Sequence, residues 1–568
     1  MMAEGVKQWE LRPLVTVHAL SRDLPPLVVQ VLVGRGIDTA EKLRLFLDPP
    51  HRLPHNPMRL KGMDLALPRL YRAINQGERV GIFGDFDVDG VTGAALIAEG
   101  LRNLGVSILP YLPHRVDEGH GLSGDALRQL VDQGATLIVT VDCGVTSLAE
   151  VAQARQLGAD VIITDHHTPH AQLPEATAII NPKLPGVDYP CRDLSGAGLA
   201  FKLIQGLYQF YGQPWGRSLL ELAALGTIAD LVPLADENRF LVQQGLAELA
   251  QTRRPGLQAL YRRAGIQPDS INAETVAFQI APRLNSPGRM GHARDTFQLL
   301  TTSSESEAEA LAEKLEMLNQ DRRNLTEEAF ALASDVVRRY RTLPPILLVG
   351  DRSFTPGIAG LVAGRLVETF RRPAVVMCIG DEFAVASGRS IPEFDIIKAF
   401  AGCRDLFLRY GGHAQAAGFT LPTGKIPLLE ANLIALAQDA LGSLGLRPTL
   451  PIDAEVKMAD LTVDARQWLA ALEPFGMANP QPVFLTRRVH VLEARYMGQL
   501  GQHLRLRLRE GNREWAALAF NQAQRWAAED GRFSNHPYID LVYTISTDYW
   551  QGTERLTLKA LDFRPSSG

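Results

Sequence analysis

The chain has 568 residues, 46% of them hydrophobic and 21% charged, with a formal net charge of −5. That length exceeds what one hydrophobic core usually supports. The composition is that of an ordinary globular protein with no apolar run long enough to span a bilayer, and the negative charge excludes a generic electrostatic attraction to nucleic acid, so any such binding has to be local.

Residues 1–50 contain two short amphipathic helical patterns, VVQVLVGRG and TAEKLRLFLD, and lead into the proline-rich DPPHRLPHNP; they read as a small helical lead-in. Residues 51–300 form the next expected domain. In it the strand-like runs RVGIF, VSILPYL, TLIVTV, DVIIT and TAIIN alternate with helical patterns, which predicts βαβ units and a parallel sheet. Residues 301–342 read as one long connecting helix: Ser304 and Glu307 make a candidate capping box, apolar residues recur at Leu311, Leu315, Leu318, Leu325 and Leu332, and Pro344 and Pro345 stop it. Such a helix reaches about 57 Å at 1.5 Å per residue, enough to bridge two lobes. A coiled coil is disfavoured because Arg322 and Ala329 interrupt the apolar seam.

Residues 343–447 begin with PILLVG and read as a second α/β domain, ended by the linker-like LGSLGLRPTLP. Over 448–568 the period changes to two. In HLRLRLRE, Leu504, Leu506 and Leu508 alternate with Arg505, Arg507 and Arg509, so a strand would bury one face and present guanidinium groups on the other. The last region is expected to be a small all-β domain. The four cysteines, Cys143, Cys191, Cys378 and Cys403, are far apart with no C-x-x-C pair, and no export signal opens the chain; a reducing cytoplasm is the expected location.

Chemistry concentrates at the ends of the expected strands. GDFDVDGVT, residues 84–92, begins like a calcium loop, but the twelfth position from Asp85 is Leu96 rather than glutamate and a strand precedes it, so the context is strand, loop, helix. LIVTVDCG then delivers Asp142, VIITDHH delivers Asp165, His166 and His167, and LAALGTIADLVPL delivers Asp230. A single aspartate after a strand is often a helix cap or a turn residue. Together these residues carry more weight, because parallel strands present their carboxyl ends on one edge. Clustered carboxylates cannot all stay ionised unaided, and oxygen ligands with one or two imidazoles suit Mg²⁺ or Mn²⁺ better than zinc. Two such ions can clamp an in-line displacement at phosphorus and activate water. The residues therefore point to a two-metal phosphoesterase.

In this order DFDVDG, VDCG, TDHH and GTIAD resemble the four motifs of the DHH phosphoesterase family, and GGHAQAAG at 411–418 resembles the glycine-rich signature of the DHH-associated domain. The resemblance covers most of the chain from about residue 65 onward. It implies an α/β fold, with a parallel-sheet DHH domain and a second α/β DHH-associated domain joined by the long helix, plus a C-terminal OB-like all-β domain. By resemblance Asp85 and Asp87 each serve a different ion, Asp142 bridges both, and His166 with Asp230 completes the second. His167 stands beside the scissile phosphate. Asp165 is expected to orient a histidine, and Asp89 to shape the turn or cap a helix. One departure stands out: the pyrophosphatase branch of the family has a histidine where this chain has Gly81, so the first ion is expected to rest on fewer protein ligands.

The resemblance also implies a phosphate grip by Gly411, Gly412 and His413, and recognition of a 5′-terminal phosphate by Arg115, Ser387 and Arg389, with Arg289 lining the same cleft. The alternative for GGHAQAAG is a tight turn into an alanine-rich helix. Residues 481–568 hold 12 Lys and Arg against 9 Asp and Glu, and Arg505, Arg507 and Arg509 with Trp515, Tyr549 and Trp550 would suit an OB-like platform for single strands. Tryptophans in a small β-domain are, however, more often core. The implied activity is a metal-dependent 5′→3′ single-strand exodeoxyribonuclease of DNA repair and recombination, using two divalent cations, Mn²⁺ or Mg²⁺. Single-stranded DNA is the expected partner, with a single-stranded-DNA-binding protein and a helicase as further candidates and no membrane. The alternatives are a family phosphodiesterase acting on short oligonucleotides or dinucleotides, and a degenerate homologue that only binds strands.

Overall fold

A computed structural model describes residues 7–15, 20, 24–47, 55–442, 449–498, 500–533, 537–550 and 553–566, without the side chains of 529–533, 546–550 and 553–555. The expected proline-rich segment therefore falls largely, and the expected linker partly, outside the described residues. The chain divides into two compact units, one made of Pro54–Leu446 and the other of Met1–Leu53 with Arg447–Gly568.

The larger unit begins with a five-stranded sheet in which every neighbouring pair is parallel. Its spatial order is Ser107–Tyr111, Arg79–Gly84, Ala135–Val141, Asp160–Thr164, Ala178–Ile180. Both faces are covered, which is why these strands are nearly continuous apolar runs. Val80, Ile82, Leu137, Val139 and Ile162 face the larger core, shared with helices Met63–Asn75, Val88–Arg102, Gly196–Phe210 and Leu219–Ala229. Phe83, Ile138, Val161 and Ile163 face a smaller one under helices Gly124–Asp132 and Leu148–Gln156.

The connecting helix spans Glu305–Arg338, 34 residues, shorter at both ends than the sequence suggested. Ser304 caps it by accepting from the Glu307 amide at 3.3 Å, but the reciprocal half of the box is absent because the Glu307 carboxylate is taken by the Thr302 hydroxyl. Its buried stripe is mostly small: Ala308, Ala312 and Leu315 join the first core, while Ala329, Ala333 and Val337 join another. The leucine pattern was only a partial guide, since Leu332 is exposed. Beyond the helix lies a mixed sheet ordered Arg409–His413, Ala416–Pro422, Phe383–Arg389, Ala374–Ile379, Leu347–Asp351, with only the last pair parallel.

In the smaller unit, strand Phe484–Met497 pairs with His503–Glu510, which pairs with Arg513–Ala519, then Thr553–Pro565, then Tyr538–Trp550, which pairs back to the first. The five strands close a barrel, removing free edges. The two helical patterns of residues 1–50 form helices Pro26–Gly34 and Ala40–Leu47, and this segment belongs to the same compact unit as the barrel. Gln8–Leu11 is a strand parallel to Thr449–Ile452, and Val28, Val31 and Leu32 of helix Pro26–Gly34 share the core of Leu504, Leu506 and Leu508. A partner more than 400 residues away leaves no periodic trace near the segment itself.

Candidate metal centre

The register of the parallel sheet aligns Gly84, Val141, Thr164 and Ile180 across four strands. The residues that follow keep the row going: the Asp85 amide donates to the Val141 carbonyl (3.2 Å), that of Asp142 to Thr164 (2.9 Å) and that of Asp165 to Ile180 (3.2 Å). Three aspartates thus stand side by side at the carboxyl edge, where open α/β sheets gather ligands. Asp142 holds φ at 62°, a left-handed conformation that costs free energy in a residue with a Cβ. Gly196 makes room for it: a Cβ there would come within 2.5 Å of the Asp142 Cβ.

Asp87 caps helix Val88–Arg102, its Oδ1 accepting from the amides of Asp89 (3.0 Å) and Gly90 (3.1 Å). Asp89 points elsewhere, its two oxygens accepting from the Gly196 (2.6 Å) and Ala197 (2.8 Å) amides at the start of another helix. Both oxygens are thus engaged by backbone amides, although one of them also lies with ligand atoms of His166 and Asp230, all within 4.8 Å of one another. Asp230 ends helix Leu219–Ala229. Burial first, then the charges of Asp89 and Asp87, push its carboxyl up to about 9. Burial and the same kind of neighbours drive Asp142 upward as well.

Asp85, Asp87 and Asp142 bring ligand atoms within 4.8 Å of one another, and so do Asp142, His166 and His167. His166 Nε2 lies 3.1 Å from Asp142 Oδ1 and 3.6 Å from Asp230 Oδ2, yet Asp142 Oδ1, Asp85 Oδ1 and both His166 ring nitrogens are buried without a hydrogen-bond partner. Orphaned donors and acceptors in such numbers need an explanation. A divalent cation fits: the atoms surround shared points rather than bonding one another, and they are oxygens with one imidazole. Burial, then the neighbouring His167, lowers His166 to about 3, which keeps it in the neutral form a metal requires. Burial alone would lower His167 too; the bond and charge of Asp165, whose Oδ1 lies 2.8 Å from its Nδ1, prevail and hold it up to about 9. Asp165 is itself fixed by accepting from the Val145 amide at 2.9 Å.

The arginines gather next to the acids. Arg115 lies over the Phe86 ring, 3.9 Å from its centroid, with Nε donating to the Gly288 carbonyl at 2.8 Å. Arg389 donates to the Ser387 hydroxyl at 3.2 Å and Arg289 to the Gly357 carbonyl at 3.2 Å. Burial, then the charges of Arg115, Arg322 and Arg389, bring Arg289 down to about 9. Gly411, Gly412 and His413 are exposed on strand Arg409–His413; Ala414 and Gln415 make a tight turn, and AAG from Ala416 opens the neighbouring strand rather than a helix. The His413 ring stacks on that of His167, centroids 5.8 Å apart.

Two residues escaped the sequence reading. His120 Nδ1 lies 3.0 Å from Asp85 Oδ2, and its signal was a histidine between two glycines in the loop that bears Arg115. Arg322 extends the field of the arginine group to the long helix, where it had registered only as a break in an apolar seam. Gly81 has no side chain to offer a ligand, and a Cβ there would meet Leu130 and Ile138.

In the barrel, Arg505, Arg507 and Arg509 are exposed and alternate with buried leucines. Arg509 bonds Glu514 at 2.8 Å and Arg507 lies 3.8 Å from it. Trp515 is no free platform: it pairs in register with buried Leu508 and packs on the core. The side chains of Tyr549 and Trp550 lie outside the described residues.

A parallel sheet with this acidic edge, followed through a long helix by a mixed sheet, defines the class: a DHH phosphoesterase. Residues 79–227 match the DHH family, N-terminal domain, residues 343–441 the DHHA1 domain and residues 452–562 the RecJ OB domain. The chain belongs to the RecJ family. It is 38% identical to the single-stranded-DNA-specific exonuclease RecJ of Bacillus subtilis over 99% of this chain and 71% of that one, and 34% identical to the Salmonella typhimurium protein of the same name over 96% and 97%. The crystal structure of RecJ from Thermus thermophilus in complex with Mn²⁺ superposes with a TM-score of 0.83 at 30% identity, covering 99% of this chain and 80% of that one.

Proposed function

We propose that the chain is a 5′→3′ exonuclease that hydrolyses single-stranded DNA with two divalent cations, Mn²⁺ or Mg²⁺. The observation that carries this reading is the meeting of orphaned acidic and imidazole atoms with a cluster of half-buried arginines. The charges of Asp87 and Asp85 act directly on Arg115, and cations beside carboxylates in this arrangement suit a phosphate chain entering over metal ions. In this reading Asp85 and Asp87 would each serve a different ion, Asp142 would be shared between them, and His166 with Asp230 would complete the second. When bound, the ions neutralise the phosphate and activate the attacking water. His167, held by its bond to Asp165, stands to steady the developing charge or to assist departure of the leaving oxygen.

Arg115, Arg289, Ser387 and Arg389 grip the terminal 5′-phosphate, with Gly411, Gly412 and His413 on the adjoining phosphate. Polarity and preference for single strands are supported by the names of the relatives and by the family resemblance. A role in repair and recombination, cytoplasmic location, and delivery of unpaired ends by a helicase or a strand-binding protein belong to the same reading. Four free, buried cysteines accord with a reducing compartment, and no described helix is long and apolar enough to cross a membrane.

The test is digestion of long strands blocked at one end or the other, with and without chelator. Stepwise release from an open 5′ end is expected, lost with EDTA and restored by Mn²⁺. Cleavage confined to pieces of a few nucleotides would replace this reading with the oligonucleotide phosphodiesterase, and digestion undiminished by chelation would end it.

A further inference from the structure

Phe86, buried between the side chains of Asp85 and Asp87 in sequence, is held from two sides by a single loop. The Arg115 guanidinium covers its ring, and the His120 ring lies 4.3 Å from it, centroid to centroid. The loop is tied at its middle: Glu118 accepts from the Tyr111 hydroxyl (2.7 Å), the His114 amide (2.6 Å) and the Ser123 hydroxyl (3.3 Å). Gly119 and Gly121, with φ of 79° and 88°, flank the histidine. Left-handed backbone on both sides is readily adopted by glycine, and it turns the imidazole back toward the sheet edge.

There His120 Nδ1 meets Asp85 Oδ2 at 3.0 Å, while Asp85 Oδ1 is buried and unbonded. An ionised carboxylate only accepts, so the proton of this bond is on Nδ1. The two clusters differ in a way that gives this contact meaning. The groupings of Asp142 with His166 and His167, and of Asp89 with His166 and Asp230, include imidazoles, whereas Asp85, Asp87 and Asp142 are carboxylates alone.

We infer that His120 is the positioning residue of the first ion. By donating to Oδ2 it fixes the Asp85 carboxylate with Oδ1 turned to the ion, and it sets the affinity of that site without touching the second. The inference rests on the two-ion reading above. Hydrogen-bond partners behind metal ligands typically govern affinity by about 10–100-fold. The His120 side chain is 71% exposed, so its removal opens no cavity in the core.

The test is Mn²⁺ binding to the full chain without nucleic acid, followed by calorimetry and by the electron paramagnetic resonance signal of free Mn²⁺. Wild type should bind two ions. His120→Ala should weaken one site by about 10–100-fold and leave the other unchanged. His120→Asn, which carries an N–H at the same δ position, should recover most of the loss. Thermal unfolding in chelator should be the same for all three proteins. Unchanged affinities in His120→Ala overturn the inference, and so does equal weakening of both sites, which would mark a general structural role. A wild-type protein that binds no Mn²⁺ overturns the two-ion reading and this inference with it.

Discussion

The imidazoles of His167 and His413 lie face to face, their planes 10° from parallel, and so join the acidic sheet edge to the mixed sheet beyond the long helix. Burial first, then the charge of His167, lowers His413, and the two rings lie nearly parallel with their centroids 5.8 Å apart. In the proposed function His167 stands beside the scissile phosphate; removing His413 takes away its neighbour, and small misplacements at a reacting centre cost up to about 100-fold in rate. His413→Ala is expected to lower kcat by at least about 10-fold with little change in melting temperature. Steady-state kinetics on a single-stranded substrate check this, and an unaltered kcat would detach His413 from the site.

Asp87 has two tasks that substitutions can separate. One oxygen caps a helix, and the residue also stands in the carboxylate cluster. Asp87→Asn keeps an acceptor for the cap and loses the charge, so hydrolysis should fall by at least about 100-fold while stability stays near wild type. Asp87→Ala loses both and should cost a further ~1 kcal/mol of stability. Single-strand affinity should hold in both variants. Activity near wild type in Asp87→Asn would contradict the assigned role.

Metal-free protein should weaken as pH rises. The Asp230 carboxyl is raised to about 9, chiefly by burial, and Asp142 is raised too. The folded chain therefore keeps protons that the unfolded chain releases near pH 4. More protons bound in the native state make the slope of stability against pH negative. That contribution is whole below about pH 4 and is lost as pH climbs through about 9. Differential scanning calorimetry in EDTA should show a falling melting temperature across this window. Added Mn²⁺ should raise it more at pH 8 than at pH 5, because ligands bind metal deprotonated. A Mn²⁺ increment independent of pH would remove Asp230 from the ion's ligands.

Arg389 offers its guanidinium to the Ser387 hydroxyl inside the arginine cluster. Hydrogen bonds to charged groups are worth about 1.5–3 kcal/mol. Arg389→Ala should therefore cut the preference for a 5′-phosphate over a 5′-hydroxyl end by about 10-fold or more. Competition between the two substrates measures it, and an intact preference excludes Arg389 from end recognition.

The three barrel arginines are not equivalent. Arg509 shares charge with Glu514, while Arg505 sits opposite Leu518 and Arg495. For a single strand each phosphate contact contributes about 0.7 to the salt slope of binding. Arg505→Ala should reduce the slope by about that amount and Arg509→Ala by less. Fluorescence anisotropy over a salt series decides between them, and equal or reversed effects would locate the strand elsewhere.

How far such features were legible depended on the range of the interactions behind them. Asp85, Asp142 and Asp165 each close an apolar run, and parallel pairing alone brings them into line, so their convergence could be anticipated. The alternation of Leu504, Leu506 and Leu508 with arginines is likewise local, and it even orients Trp515 inward through its register partner Leu508. After the turn at Ala414 and Gln415, Ala416–Gly418 would continue as helix by propensity but are drawn into a strand by pairing on both sides, a case of tertiary context overriding local preference. His120 acts through an irregular loop, for which periodicity has no language. The true ends of the long helix were obscured because its packing surface is alanine, while attention fell on leucine.

The strand Gln8–Leu11 and the helix Pro26–Gly34 bear on how the protein is made. Both lean on elements from the far end of the chain, so on the ribosome they emerge long before anything exists to receive them. At about 5–20 residues per second the wait is roughly 20–80 s. Throughout it an apolar helix is left without its shelter, and such transiently exposed apolar surface is where aggregation begins.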